Sequence, residues 1–155
     1  MKAYAIVLAG NKTSEAGYKN LLKSSSDVCN QFFIEKFDAV TSDTVDNLMA
    51  ELEIEWKWPH TGSEFDQKSG IKKVGYGGKD PRRRRACGMS HYLLWKQCSE
   101  TNEPILIFEH DAIFIARLYT DPLVNSHYSV IGLNDPRNAT RLPHKYDAIV
   151  QNSQE

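Results

Sequence analysis

Ile105-Leu106-Ile107-Phe108-Glu109-His110-Asp111 is the stretch that decides the fold. Pro104 stands before it, and two acids flanking an imidazole close it. A short, unbroken apolar run bounded in this way predicts a strand buried on both faces, as in a parallel sheet. Working outward, the same pattern recurs. Tyr4-Ala5-Ile6-Val7-Leu8 is a second such run, ended by Gly10-Asn11. A further strand is expected within Phe32 to Val40, around Phe33 to Phe37, and another at Tyr128 to Leu133, which reads YSVIGL.

Between these runs the apolar period becomes helical. Ser14 is placed to cap a helix carrying Tyr18, Leu21 and Leu22 on one face. Ser42 is placed to cap the next, with Asp43 and Asp46 in its first turn. Val45, Leu48, Met49 and Leu52 then follow the i, i+3, i+4, i+7 pattern. From Arg85, the residues Cys87, His91, Leu94, Trp95 and Cys98 share one face of a third helix. The segment from about 56 to 81 has no period and is punctuated by Gly62, Gly70, Gly75, Gly77, Gly78 and Pro81. It is expected to be a long irregular loop, the kind of insertion that often carries function. Strands alternating with helices predict an α/β fold, a mostly parallel, Rossmann-like sheet flanked by helices in a single compact domain over 1–155. Such sheets bind ligands beyond the carboxyl ends of their strands, which is where Glu109, His110 and Asp111 fall.

Composition narrows the classes. The 155 residues match one ordinary domain, and 41% hydrophobic with 25% charged residues is the mix of a globular protein. Nineteen basic against twenty acidic side chains leave a net charge of −1, so nucleic acid is not an expected partner. No apolar run reaches 18 residues, so no membrane span is expected. Cys29, Cys87 and Cys98 are odd in number and lack a CxxC spacing, which supports neither a disulfide framework nor a zinc motif. The expectation is buried thiols in a reducing compartment. The opening AYAIVLAG, behind a single Lys2, reads as a strand rather than a signal peptide, so the expected location is the cytoplasm. Without a secretory signal, the sequon Asn138-Ala139-Thr140 carries no weight.

Two acids and an imidazole delivered into a cleft need a counter-charge, and a divalent cation bound to a diphosphate would supply it. Carboxylates suit Mg²⁺ or Mn²⁺, and the imidazole favours Mn²⁺. The pattern alone is weak and better describes a solvated strand end with one satisfied core acid.

The wider context is more specific. Ala86-Cys87-Gly88-Met89-Ser90-His91-Tyr92-Leu93-Leu94-Trp95 precedes the strand by a short spacer. The pair of motifs resembles glycosyltransferase family 25, the lipopolysaccharide-biosynthesis and collagen-galactosyltransferase-like family. Its hallmark is Gly-Cys-x-x-Ser-His-x-x-x-Trp on a helix, followed by a strand ending in Glu-Asp-Asp. The resemblance is good over 85–115 and looser elsewhere. It implies a GT-A fold, a UDP-sugar donor, a divalent metal, and inverting transfer of a hexose such as galactose to a glycan or lipopolysaccharide acceptor. Carried over by position, Glu109, His110 and Asp111 are the metal set, with Asp111 the expected direct ligand. Ser90, His91 and Glu109, with Arg84 and Arg85, are the expected donor-binding set. Two departures stand out: His110 replaces the central acid, and Ala86 replaces the Gly before Cys87.

Several residues have two readings. Arg82 to Arg85 could approach donor phosphates or form a solvated loop before the helix. His91 could act in the site or be a hydrogen-bonded core histidine, and Ser90 beside it is no evidence for a serine nucleophile. Trp95 is expected in the core; Trp56 and Trp58 are better placed to stack on a base or sugar. Asp135 is the positional choice for the general base, although Asp135-Pro136 also makes an ordinary turn. The family-like pattern fades after Leu133, so the acceptor region is expected to be minimal, missing or supplied by a second copy in a homo-oligomer. The alternative to an enzyme is a catalytically impaired relative that binds nucleotide sugars; an RNA-binding arginine patch is a weaker third reading.

Overall fold

In the computed structural model, residues 1–75, 77–125 and 128–133 are described. The chain divides into two compact units, residues 1–118 and 119–155. The first unit is an α/β domain. Its elements are β1 (Lys2–Val7), α1 (Lys12–Asp27), β2 (Ile34–Asp38), α2 (Val45–Glu51), β3 (Ser63–Asp66), β4 (Ile71–Val74), α3 (Pro81–Thr101) and β5 (Ile105–Glu109). In the second unit, α4 (Asp121–Val124) is the described helix. The strand expected at Tyr128 to Leu133 does not form: these residues are irregular, and Tyr128, Val130, Ile131 and Leu133 are exposed. An apolar run becomes a strand only where a partner edge takes up its backbone groups, and none pairs with it among the described residues.

Three strands form the parallel sheet, in the order β2-β1-β5. The central strand β1 is buried from Ala3 to Val7, as a strand covered on both faces must be. Register sorts the side chains into two faces. Ile6 pairs with Phe37 and Glu109, and Tyr4 pairs with Ile107. Tyr4, Ile6, Phe37, Ile105 and Ile107 pack together with fully buried Leu94 of α3. On the opposite face, Ala3 pairs with Ile34 and Leu106, and Ala5 with Phe108. There the Phe108 ring lies 6.3 Å from Phe32 and 5.2 Å from Phe114, and the Phe114 N–H donates to Ser24 Oγ on α1 at 3.1 Å. Thus α3 covers one face, and α1 runs beside the segment leaving β5 on the other.

The caps differ from those expected. Asn11, not Ser14, caps α1: its side chain accepts the Ser14 N–H at 3.0 Å. Ser14 lies inside the helix, where its hydroxyl accepts the Leu8 N–H at 2.9 Å and ties the helix start to the strand end. Thr44, not Ser42, is the cap position of α2, without a side-chain bond. The largest difference is α3, which begins at Pro81 instead of Arg85. Asp80 accepts the Arg82 N–H at 3.0 Å, and proline at the first helical position has the φ and the missing donor that a helix start tolerates. The four arginines therefore lie within the start of the helix, Arg82 to Arg84 in its first turn and Arg85 just after it, not in a loop. Four cations at the positive end of a helix oppose its dipole, which disguises this start.

The 56–81 segment also contains order that was not expected. β3 and β4 pair antiparallel through a turn in which Asp66 Oδ1 accepts from the Lys68 and Ser69 N–H groups. Gly70 adopts φ +68°, the left-handed conformation this turn needs. Both strands are largely exposed and mixed in polarity, so no hydrophobic alternation marks them. No helix among the described residues is long and apolar enough to cross a membrane.

Candidate functional site

The buried face of α3 is Ala86, Met89, Ser90 and Leu94. It is turned by about one residue, roughly 100°, from the face read as Cys87, His91, Leu94, Trp95 and Cys98. Ala86 and Met89 pack with Val45 and Met49 of α2, and Leu94 packs on the sheet. The rotation corrects two expectations, for Trp95 and Cys87, and bears on the two readings of His91. Trp95 is 56% exposed rather than core, Cys87 is exposed rather than buried, and His91 stands at the rim. Cys29 is exposed as well. Small Ala86 and Ser90 give little apolar signal, whereas the larger Cys87 and Trp95 beside them are exposed.

Ser90 is buried and fully engaged. Its hydroxyl donates to the Ala86 carbonyl and accepts the Val40 N–H, both at 2.9 Å. This bridge fixes α3 to the chain just beyond β2. Next to it, His91 faces outward to the end of β5. Its Nε2 lies 3.4 Å from Glu109 Oε1. The Cys87 sulfur, one turn earlier on α3, joins them: one ligand atom from each of Cys87, His91 and Glu109 lies within 4.8 Å of the others. Hydrogen bonding with Cys87, and then with Glu109, outweighs partial burial and raises the His91 pKa to about 9. The same His91 contact holds the Glu109 carboxyl below its usual value. Trp95 flanks the imidazole with its ring centre 5.9 Å away.

His110 and Asp111 belong to the other side. Together with Lys12, Thr13, Gly17 and Asn20 of α1 they line an open groove of about 550 Å³. Gly17 is required for this approach: a Cβ there would lie 2.8 Å from the His110 carbonyl oxygen. The Glu-His-Asp run is thus divided, Glu109 toward α3 and Asp111 toward α1. Among the described residues, Glu109, His110 and Asp111 do not converge as one ligand set; the three-donor group there is Cys87, His91 and Glu109. A thiol, an imidazole and one carboxylate do not fit the oxygen-rich shell that Mg²⁺ or Mn²⁺ favours.

The arginines are largely committed to the protein. Arg82 forms two bonds to Asp80, at 3.0 and 3.2 Å. Arg85 pairs with Asp46 of α2 at 2.9 Å, and the Arg84 guanidinium lies 5.3 Å from the Trp58 ring centre. Trp58 also donates its indole N–H to the Val74 carbonyl at 2.9 Å, which anchors the hairpin. Trp56 packs against the α2–α3 core, over Gly88, where a Cβ would lie 2.9 Å from its ring. Asp135 lies outside the described residues.

Sequence reading missed two contributors, Cys87 as a partner of His91 and the α1 wall of the groove. Cys-x-x-x-His on a helix was the available signal for the first, since i and i+4 share a face. A glycine inside α1 was the signal for the second. Fold and site together define a small parallel α/β domain with polar groups gathered at the carboxyl end of β5. Residues 31–121, more than half of the chain, match the family model of glycosyltransferase family 25 (LPS biosynthesis protein), and the chain belongs to that family. Searches of curated proteins and of solved structures returned no match.

Proposed function

We propose that this chain transfers a hexose from a UDP-sugar to a hydroxyl of a glycan or lipopolysaccharide acceptor. The observation that carries this reading is the family match, which takes in both α3 and β5. The α1 groove is the proposed donor site. It lies at the carboxyl edge of a parallel sheet, where α/β folds take up nucleotides, and Lys12 offers a cation for the diphosphate. Asp111, on the opposite wall, is the proposed partner of sugar or ribose hydroxyls. In the reaction the acceptor oxygen bonds to the anomeric carbon from the side opposite the diphosphate. The carbon–oxygen bond to the diphosphate breaks, UDP leaves with the electron pair, and the acceptor proton passes to a base. Asp135 is the proposed base. The GT-A description belongs to this same proposal.

A second reading is favoured by one observation, the His110 that replaces an acid: a relative that binds donor but does not transfer. One experiment addresses both. Thermal shift and UDP release are measured with a panel of UDP-sugars, on the parent and on Asp111→Ala. The transferase reading expects stabilisation and UDP release by at least one donor, both lost in Asp111→Ala. Stabilisation without release supports the binding relative, and no response to any donor overturns both.

A further inference from the structure

We propose that Cys87, His91 and Glu109 form a binding site for Zn²⁺, with a fourth coordination position open to solvent. Three observations on different parts of the chain converge on it. Helix α3 sets Cys87 and His91 one turn apart on the side away from the core. Strand β5 ends in Glu109 on the face that α3 covers, since Glu109 pairs with Ile6 in the register that carries Ile105 and Ile107. Their ligand atoms lie within 4.8 Å of one another, and the His91–Glu109 nitrogen–oxygen distance is 3.4 Å.

Those distances suit the ion. Tetrahedral zinc with bonds of about 2.0–2.3 Å separates neighbouring ligand atoms by roughly 3.3–3.8 Å. The imidazole and carboxylate already have that spacing. The remaining adjustment is about 1 Å at most, within reach of a rotation of the exposed Cys87 or Glu109 side chain. The donor set names the metal class. One sulfur, one nitrogen and one oxygen match borderline Zn²⁺ and not the hard, oxygen-seeking Mg²⁺ or Mn²⁺. Exposure of Cys87 and Glu109 leaves the fourth position accessible to water, the arrangement of three-ligand zinc sites. The supports are rigid: Ser90 fastens α3 to Val40, and β5 is held in the sheet. Bound zinc would clamp the middle of α3 to the end of β5. The site is separate from the α1 groove, so it stands whether or not the chain uses a UDP-sugar.

The test is a titration of the chelator-treated full chain with Co²⁺, without nucleotide. Stoichiometric binding should produce a thiolate-to-cobalt charge-transfer band and the visible bands of a four-coordinate ion. Zn²⁺ should erase them at one equivalent, whereas Mn²⁺ should not. Cys87→Ser should abolish the charge-transfer band, and Glu109→Gln should weaken binding by at least the ~10-fold that even outer-shell losses cost. Cys29→Ser and Cys98→Ser should leave the spectrum unchanged. Circular dichroism confirms that the variants, all at exposed or half-buried positions, remain folded. No band at stoichiometric Co²⁺, a band that survives Cys87→Ser, or displacement by Mn²⁺ as readily as by Zn²⁺ would overturn the proposal. UDP-sugar binding is measured on separate samples, so failure there leaves this result untouched.

Discussion

The two sides of the β5 terminus use neighbouring residues for different chemistry. On the α3 side, Glu109 meets a helix that approaches through a tight serine bridge and presents thiol and imidazole. On the α1 side, His110 and Asp111 meet a helix whose Gly17 allows close approach, leaving an open groove with Lys12 at its edge. Strand β5 ends at Glu109, and the chain then turns, with the Ala112 N–H donating to the Glu109 carbonyl at 3.0 Å, which takes His110 and Asp111 off the strand's alternation. Three consecutive polar residues are therefore not one site by virtue of being consecutive. What each meets depends on the helix that covers its face.

The strongest way to break this contrast is through the core beneath one side. Leu94 is fully buried between α3 and the sheet. Leu94→Ala should cost about 2–5 kcal/mol, read as a lower denaturant midpoint. Before global unfolding, NMR signals of His91 should broaden while those of Asp111 hold. Next in size is Gly17→Val, which forces a branched side chain against the His110 backbone. It should cost about 1–3 kcal/mol by overpacking. It should also abolish any ligand binding in the α1 groove and leave cobalt binding at Cys87 intact.

Ser90→Ala removes the bridge on the other side and leaves the part-buried Val40 N–H without its partner. A loss of about 1–3 kcal/mol is expected in chemical denaturation. Amide exchange at Val40 should accelerate more than at Ser14.

The smallest effect belongs to the β3–β4 hairpin and serves to sharpen the comparison. Bonding from the Lys73 ammonium, then from the Ser69 and Lys68 N–H groups, lowers the Asp66 pKa to about 2. A folded value below the unfolded one, near 4, means the contribution is complete above about pH 4. It is lost as pH falls toward 2. Amide exchange within Ser63–Val74 should therefore quicken in acid, and Asp66→Asn should remove most of that dependence. Both sides of the β5 terminus should remain unchanged in this variant at neutral pH.

How much of this was legible follows from where the physical signal lies. The sheet was readable because buried parallel strands must be apolar throughout, as Tyr4 to Val7 and Ile105 to Phe108 are. The second half of α3 was readable from its period. Its start was not, because Asp80-Pro81 was overshadowed by four arginines whose charge opposes a helix N-terminus. Its rotation was misjudged because Cys87, His91 and Trp95 looked apolar enough for a core that Ala86, Met89 and Ser90 actually supply. The hairpin was hidden because its exposed strands need no apolar alternation. YSVIGL had strand composition without a pairing edge among the described residues. Glu109, His110 and Asp111 do stand at the carboxyl end of β5, but their division between two helices depends on packing that no local pattern encodes.

The most direct measurement is calorimetric titration of UDP-galactose into three proteins: the parent, Asp111→Ala and Cys87→Ser. With the donor in the α1 groove and Cys87 on the far side, the parent and Cys87→Ser should bind with the same affinity, and Asp111→Ala should lose binding. Undiminished binding in Asp111→Ala together with loss in Cys87→Ser would contradict the assignment and place the donor on the α3 side.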